Sequence, residues 1–172
     1  AKAIAHLNPV FLTVHASGGR TMIGAAAQAV PDVAVTAVTI LTSLSDSDLF
    51  EIGYSNPALE SAVALAKMAV GSGAKALVCS PLETAAIRNA VGSDPIIITP
   101  GVRPSLEQGR DDQARTMTPG DAISAGASLV VIGRPITQSW TEGSSAMKEK
   151  AAQIAAQVHI EPVEALAGID AH

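Results

Sequence analysis

Residues 96–137 read IIITPGVRPSLEQGRDDQARTMTPGDAISAGASLVVIGRPIT, and the reading of this stretch decides the fold. Ile96, Ile97 and Ile98 form a β-branched run that stops at Thr99-Pro100-Gly101. Residues 129–132 form a second apolar run that stops at Gly133-Arg134-Pro135. Between them lie a long polar segment and a short helical one, so the pattern is strand, loop, helix, strand. Apolar runs without polar alternation suit parallel strands covered on both faces. Glycine at a strand's carboxyl end lets a ligand approach the backbone closely.

Each run therefore delivers a glycine, and shortly afterwards Arg103 or Arg134, to the same rim of a parallel sheet. Guanidinium groups there can grip a phosphate bidentately, and in (β/α)8 barrels the loops after the last two strands commonly build a phosphate site. Two arginines at matching strand ends favour an anion site over the alternatives, which are helix capping or pairing with Asp111, Asp112 or Asp121. The polar stretch between Arg103 and Met117 contains Gly109 and Gln113. It is long for such a connection and is a candidate lid, with Gln113 as a neutral donor beside the arginines.

Moving outward, residues 10–14 read as a first strand ending at His15-Ala16-Ser17-Gly18-Gly19, with a helix over 21–30 closed by Pro31. Residues 33–41 read as a second strand that emerges at Thr42-Ser43, ahead of the helix-capping run Ser45-Asp46-Ser47-Asp48. Asn56-Pro57 opens the longest helix, to about residue 70, with Leu59, Val63, Ala64 and Met68 near helical spacing and Gly71 beyond its end. A third strand is expected over 76–79, a helix over 81–91, a fourth strand over 95–99 and a fifth from 129. The last helix, over 144–158, places Met147, Ala151, Ile154 and Ala155 on one face, which should cover the wall of the sheet. Residues 1–7 look like the end of an amphipathic helix. Strand–helix alternation with short connections indicates a parallel sheet with right-handed crossovers.

Composition narrows the function. The chain has 172 residues, 48% hydrophobic and 16% charged, which describes one well-packed domain over 1–172. With aromatics at 2%, the core must be built from Ala, Val, Ile and Leu. A net charge of -5 argues against an extended basic footprint for nucleic acid. No uncharged run approaches the ~20 residues a membrane span requires, and no secretory signal is legible, so a soluble, cytoplasmic protein is the default. The single Cys79 ends an apolar run and reads as a buried small residue. His159 and His172 read as exposed and lack metal-ligand spacing. His15 could be a rim ligand, but a hydrogen-bonded structural role is favoured. For Thr42, reading the edge of a base and capping the next helix stand level on the residues alone.

The segments Thr99-Pro100-Gly101-Val102-Arg103-Pro104, Asp112-Gln113-Ala114-Arg115 with Met117-Thr118-Pro119, and Ile132-Gly133-Arg134-Pro135-Ile136-Thr137 together resemble the orotidine 5'-phosphate decarboxylases. Val14-His15-Ala16-Ser17-Gly18-Gly19 and Val38-Thr39-Ile40-Leu41-Thr42-Ser43 are similar to the same family's preceding strand ends, so the likeness runs to about Gln138. The resemblance implies a (β/α)8 TIM barrel of which this chain is the carboxyl-terminal five βα units. It also implies that Arg103, Gln113, Gly133 and Arg134 hold a nucleotide's phosphate end while Thr42 contacts the pyrimidine. The implied reaction is decarboxylation of orotidine 5'-monophosphate to uridine 5'-monophosphate by a homodimer, without metal or organic cofactor. The family's Asp-x-Lys-x-x-Asp signature does not occur in these residues, and Lys2, Lys67, Lys75, Lys148 and Lys150 all fall on expected helices or helix exits. No catalytic residue is therefore assigned here. Three strands are expected to precede Ala1, and residues 1–172 alone are expected to fold poorly. The alternatives are another phosphate-binding barrel lyase, such as a sugar-phosphate decarboxylase, and a non-catalytic nucleotide-binding fragment.

Overall fold

In the computed structural model, which describes residues 1–104 and 117–158, five strands pair in chain order and all in parallel. They are β1 (Phe11–His15), β2 (Ala34–Val38), β3 (Ala76–Val78), β4 (Ile96–Thr99) and β5 (Leu129–Val130). The helices between them are α1 (Gly19–Ala29), α2 (Asp46–Glu51), α3 (Ala58–Val70), α4 (Pro81–Val91) and α5 (Pro119–Ser124), with α6 (Arg134–Thr137) and α7 (Ser144–Ala155) following β5. This is the α/β alternation the sequence implied, in the arrangement of part of a (β/α)8 barrel.

The register shows which face each apolar run serves. Leu12 pairs with Val35, Val14 with Ala37, Ala37 with Leu77, and Leu77 with Ile97, so these side chains share one face. All of them belong to the core, where the helices pack. Val38, Val78, Ile96, Ile98 and Leu129, on the opposite face, are only half-buried, and Val131 is 50% exposed. Thr36 and Ala76 on that same face are fully buried, so among the described residues the expectation of strands covered on both faces holds on one face and in part on the other.

Several boundaries differ from the sequence reading for local reasons. β2 stops at Val38 because its neighbour β3 ends at Val78; the amide and hydroxyl of Thr39 both donate to the Val78 carbonyl, at 3.0 and 2.9 Å, and the chain then turns. β5 has two paired residues instead of four, and residues 2–7 form a 3-10 turn instead of an α-helix. In α3 the buried stripe is Ala58, Ala62, Ala66 and Ala69; Leu59 and Ala64 are exposed, and Val63 and Met68 only half-buried. Small side chains win the inner stripe because α3 is packed against both α1 and α4. α7 ends three residues early and buries Ile154 alone, so it covers less of the wall than expected.

α4 matches its expected span, 81–91. Pro81 occupies the first turn, the Glu83 carboxylate accepts the Ser80 amide at 3.3 Å, and Gly92, at φ +81°, ends the helix. Arg88 in its last turn fastens the amino-terminal edge of the sheet. Its guanidinium donates to the carbonyls of Gly92, Ser93, Pro95 and Gly126 and to the Ser128 hydroxyl, all within 3.2 Å. No helix among the described residues is long and apolar enough to cross a membrane.

Candidate nucleotide-binding rim

The carboxyl ends of β2, β4 and β5 lead to Thr42, Arg103 and Gly133-Arg134, so the described candidates share one rim. β4 and β5 are direct neighbours, joined by Thr99 opposite Val130 and by the Val131 amide donating to the Thr99 carbonyl at 3.0 Å. Arg103 and Arg134 therefore leave adjacent strands. Thr42 leaves β2, three strand spacings or about 14 Å from β5. The sheet brings the arginine-bearing exits together and sets Thr42 at a distance that only an elongated ligand would bridge.

After β4 the chain reverses at Gly101, whose φ of +77° is costly for any residue with a Cβ. Val102 then pairs with Met117, and the Arg103 amide donates to the Met117 carbonyl at 2.9 Å. Arg103 is 5% exposed and its Nη1 donates to the Val102 carbonyl at 3.0 Å. A buried guanidinium is tolerated only with compensating hydrogen bonds or charge. The Asp121 carboxylate accepts the Thr118 hydroxyl at 2.5 Å, and Thr118 in turn caps α5. Asp111, Asp112 and Gln113, with the expected lid, lie outside the described residues, as do His159 and His172.

Arg134 is the first residue of α6, an end at which the helix dipole does not favour a cation. A Cβ added at Gly133 would meet no described atom within 4 Å, so the glycine is not required by packing around it. Thr42 sits half-buried in a turn closed by the Leu44 amide on the Leu41 carbonyl at 3.1 Å. Capping of α2 belongs to Ser45, which exchanges hydrogen bonds with Asp48 in a capping box. Those bonds hold the Asp48 carboxyl below its usual range. The capping alternative for Thr42 is thereby withdrawn.

His15 departs from expectation: it is exposed at the end of β1, paired through its backbone with β2, and its imidazole makes no hydrogen bond among the described residues. Cys79 is buried as expected, and burial pushes its thiol up to about 12, so it stays protonated and unreactive. None of the five lysines stands at a carboxyl strand end; Lys75 precedes β3 at the opposite edge. Among the described residues no group of three His, Cys, Asp or Glu side chains could hold a metal. Sequence reasoning missed a buried polar cluster beneath the rim, formed by Cys79, Ser80, Thr84 and Thr99. The available signal was Thr84, a β-branched hydroxyl in the first turn of a helix, where such side chains seek backbone partners.

Residues 1–149 match the family described as Orotidine 5'-phosphate decarboxylase / HUMPS family. The chain belongs to this family. Among its relatives, the orotidine 5'-phosphate decarboxylase of Thermobifida fusca (strain YX) is 51% identical over 147 residues, covering 85% of this chain and 62% of the relative. The enzyme of the same name from Frankia casuarinae is 48% identical over 145 residues, covering 84% of this chain and 53% of the relative. The crystal structure of orotidine 5'-phosphate decarboxylase from Lactobacillus acidophilus superposes with a TM-score of 0.76 at 36% identity, covering 92% of this chain and 67% of that one. The chain thus spans roughly 53% to 62% of the length of these two curated relatives.

Proposed function

We propose that this chain supplies the phosphate- and pyrimidine-holding part of an orotidine 5'-monophosphate decarboxylase, which forms uridine 5'-monophosphate in de novo pyrimidine biosynthesis. The observation that carries the reading is the pairing of β4 with β5, which sends Arg103 and Gly133-Arg134 out of adjacent strands at the carboxyl rim. In this reading Arg103 and Arg134 grip the phosphate, Gln113 adds a neutral donor, and Gly133 leaves room for the phosphate oxygens. Thr42, about three strands away, meets the pyrimidine. The phosphate contacts supply binding energy that is used in the transition state at the distant carboxylate. No residue of this chain is assigned the proton transfer.

The assembly proposed is a cytoplasmic homodimer. Leu41, Phe50, Ile52 and Leu82 are exposed apolar side chains near the exits of β2 and β3, surface of the kind that a subunit contact removes from water. Competition binding tests the substrate class in the natural polypeptide that carries this chain. Uridine 5'-monophosphate is expected to bind and pentulose phosphates are not; the reverse order would assign the rim to a sugar-phosphate lyase.

A further inference from the structure

The helix-side face of the sheet carries a buried polar cluster under the rim. Thr84, in the first turn of α4, and Thr99, the last residue of β4, are both 0% exposed, as is Ser80, and Cys79 is 1% exposed. The Thr84 hydroxyl donates to the Ser80 carbonyl at 3.1 Å, which uses its single proton. Its contacts with Thr99 Oγ1 at 3.3 Å and Cys79 Sγ at 3.7 Å must then be filled by the Thr99 O–H and the Cys79 S–H as donors. One hydroxyl on a helix thereby ties together the last turns of two strands. Nothing in the fold of α4 requires it, because the helix is already started by Pro81 and the Glu83 carboxylate.

Thr99 is where both arms of the anion site diverge. Its carbonyl accepts the Val131 amide at 3.0 Å, three residues before Arg134. Its own chain continues through Pro100 and the positive-φ Gly101 to Arg103. A shift of Thr99 would move both guanidinium groups relative to each other, and bidentate recognition tolerates little such displacement.

We infer that Thr84 is a positioning residue for the anion site, setting through Thr99 the relative placement of Arg103 and Arg134. The inference rests on the nucleotide reading proposed above. Thr84 touches no ligand in it. A hydroxyl lost at this point would be felt at the phosphate end of a nucleotide and not at its base.

The test compares the wild-type natural polypeptide with Thr84→Val, Thr84→Ser and Thr99→Val, titrated with uridine 5'-monophosphate and with uridine, which lacks the phosphate. Thr84→Val is expected to weaken the monophosphate about tenfold, the factor that one buried hydrogen bond represents, while leaving uridine unchanged. Thr84→Ser should restore the monophosphate affinity. Thr99→Val cuts the same link from the strand and should reproduce the loss if Thr84→Val does not fold. Lower thermal stability with unchanged monophosphate affinity in either valine variant would overturn the inference and leave Thr84 a purely structural residue. An equal loss for both ligands would overturn it too. Failure of the underlying reading looks different: wild-type protein would then show no preference for the monophosphate over uridine.

Discussion

Replacing Arg88 by methionine keeps the aliphatic stem that lies against Gly126 and removes only the guanidinium. The magnitude follows from where its acceptors sit. The carbonyls of Gly92 and Ser93 are at exposed bonds and will be met by water, so they contribute little. The contacts to Pro95, Gly126 and Ser128 are partly buried, at 2.9, 3.0 and 3.1 Å, and the Ser128 hydroxyl also accepts the Ile97 amide inside the sheet. At about 1 kcal/mol for each of these three, Arg88→Met should cost ~3 kcal/mol, or about 6–12 °C in Tm for a chain of this size. Urea denaturation of wild type and variant measures the loss. Because Arg88 holds the edge of the sheet opposite to the rim, nucleotide affinity should stay unchanged. A loss below ~1 kcal/mol would mean that the bracket is replaced by water without cost, and the reasoning would fail.

Three further outcomes are expected. Cys79 in the folded protein should resist alkylation at neutral pH and react only on unfolding, as followed by thiol titration in denaturant. The folded state keeps a thiol proton that the unfolded chain releases above about pH 9, so this contribution is complete below that pH and is lost as pH rises towards 12. Denaturation midpoints of wild type and Cys79→Ala should therefore converge as pH rises through that window. Ser45→Ala should lower Tm more at neutral pH than at about pH 3, because the lowered pKa of Asp48 makes the capping box stabilising above the carboxylate range and lost below it; an equal loss at both pH values would refute the coupling.

The parallel order was legible because each strand is a short β-branched or alanine-rich run stopped by Gly, Pro or Ser, and α4 because Ser80, Pro81, Glu83 and Gly92 punctuate it at both ends. The inner stripe of α3 was not, since periodicity ranks Leu59 and Met68 above the alanines, whereas close helix packing selects Ala58, Ala62, Ala66 and Ala69. β2 appeared too long because its apolar run continues after β3, its partner, has ended. At the rim, Arg103 and Arg134 could be matched by strand position, but Ser45 rather than Thr42 as the cap of α2 depended on turn geometry. The Thr84–Thr99 contact joins residues 15 apart on different elements, and no local pattern encodes it.

The most direct measurement is calorimetric titration of uridine 5'-monophosphate into the natural polypeptide and its Arg134→Ala variant. Loss of a charge-assisted contact to phosphate should weaken binding by about 1.5–3 kcal/mol, roughly 10- to 150-fold in Kd, with uridine affinity unaffected. Equal affinity of the two proteins for the monophosphate would contradict the assignment of this rim to a nucleotide's phosphate.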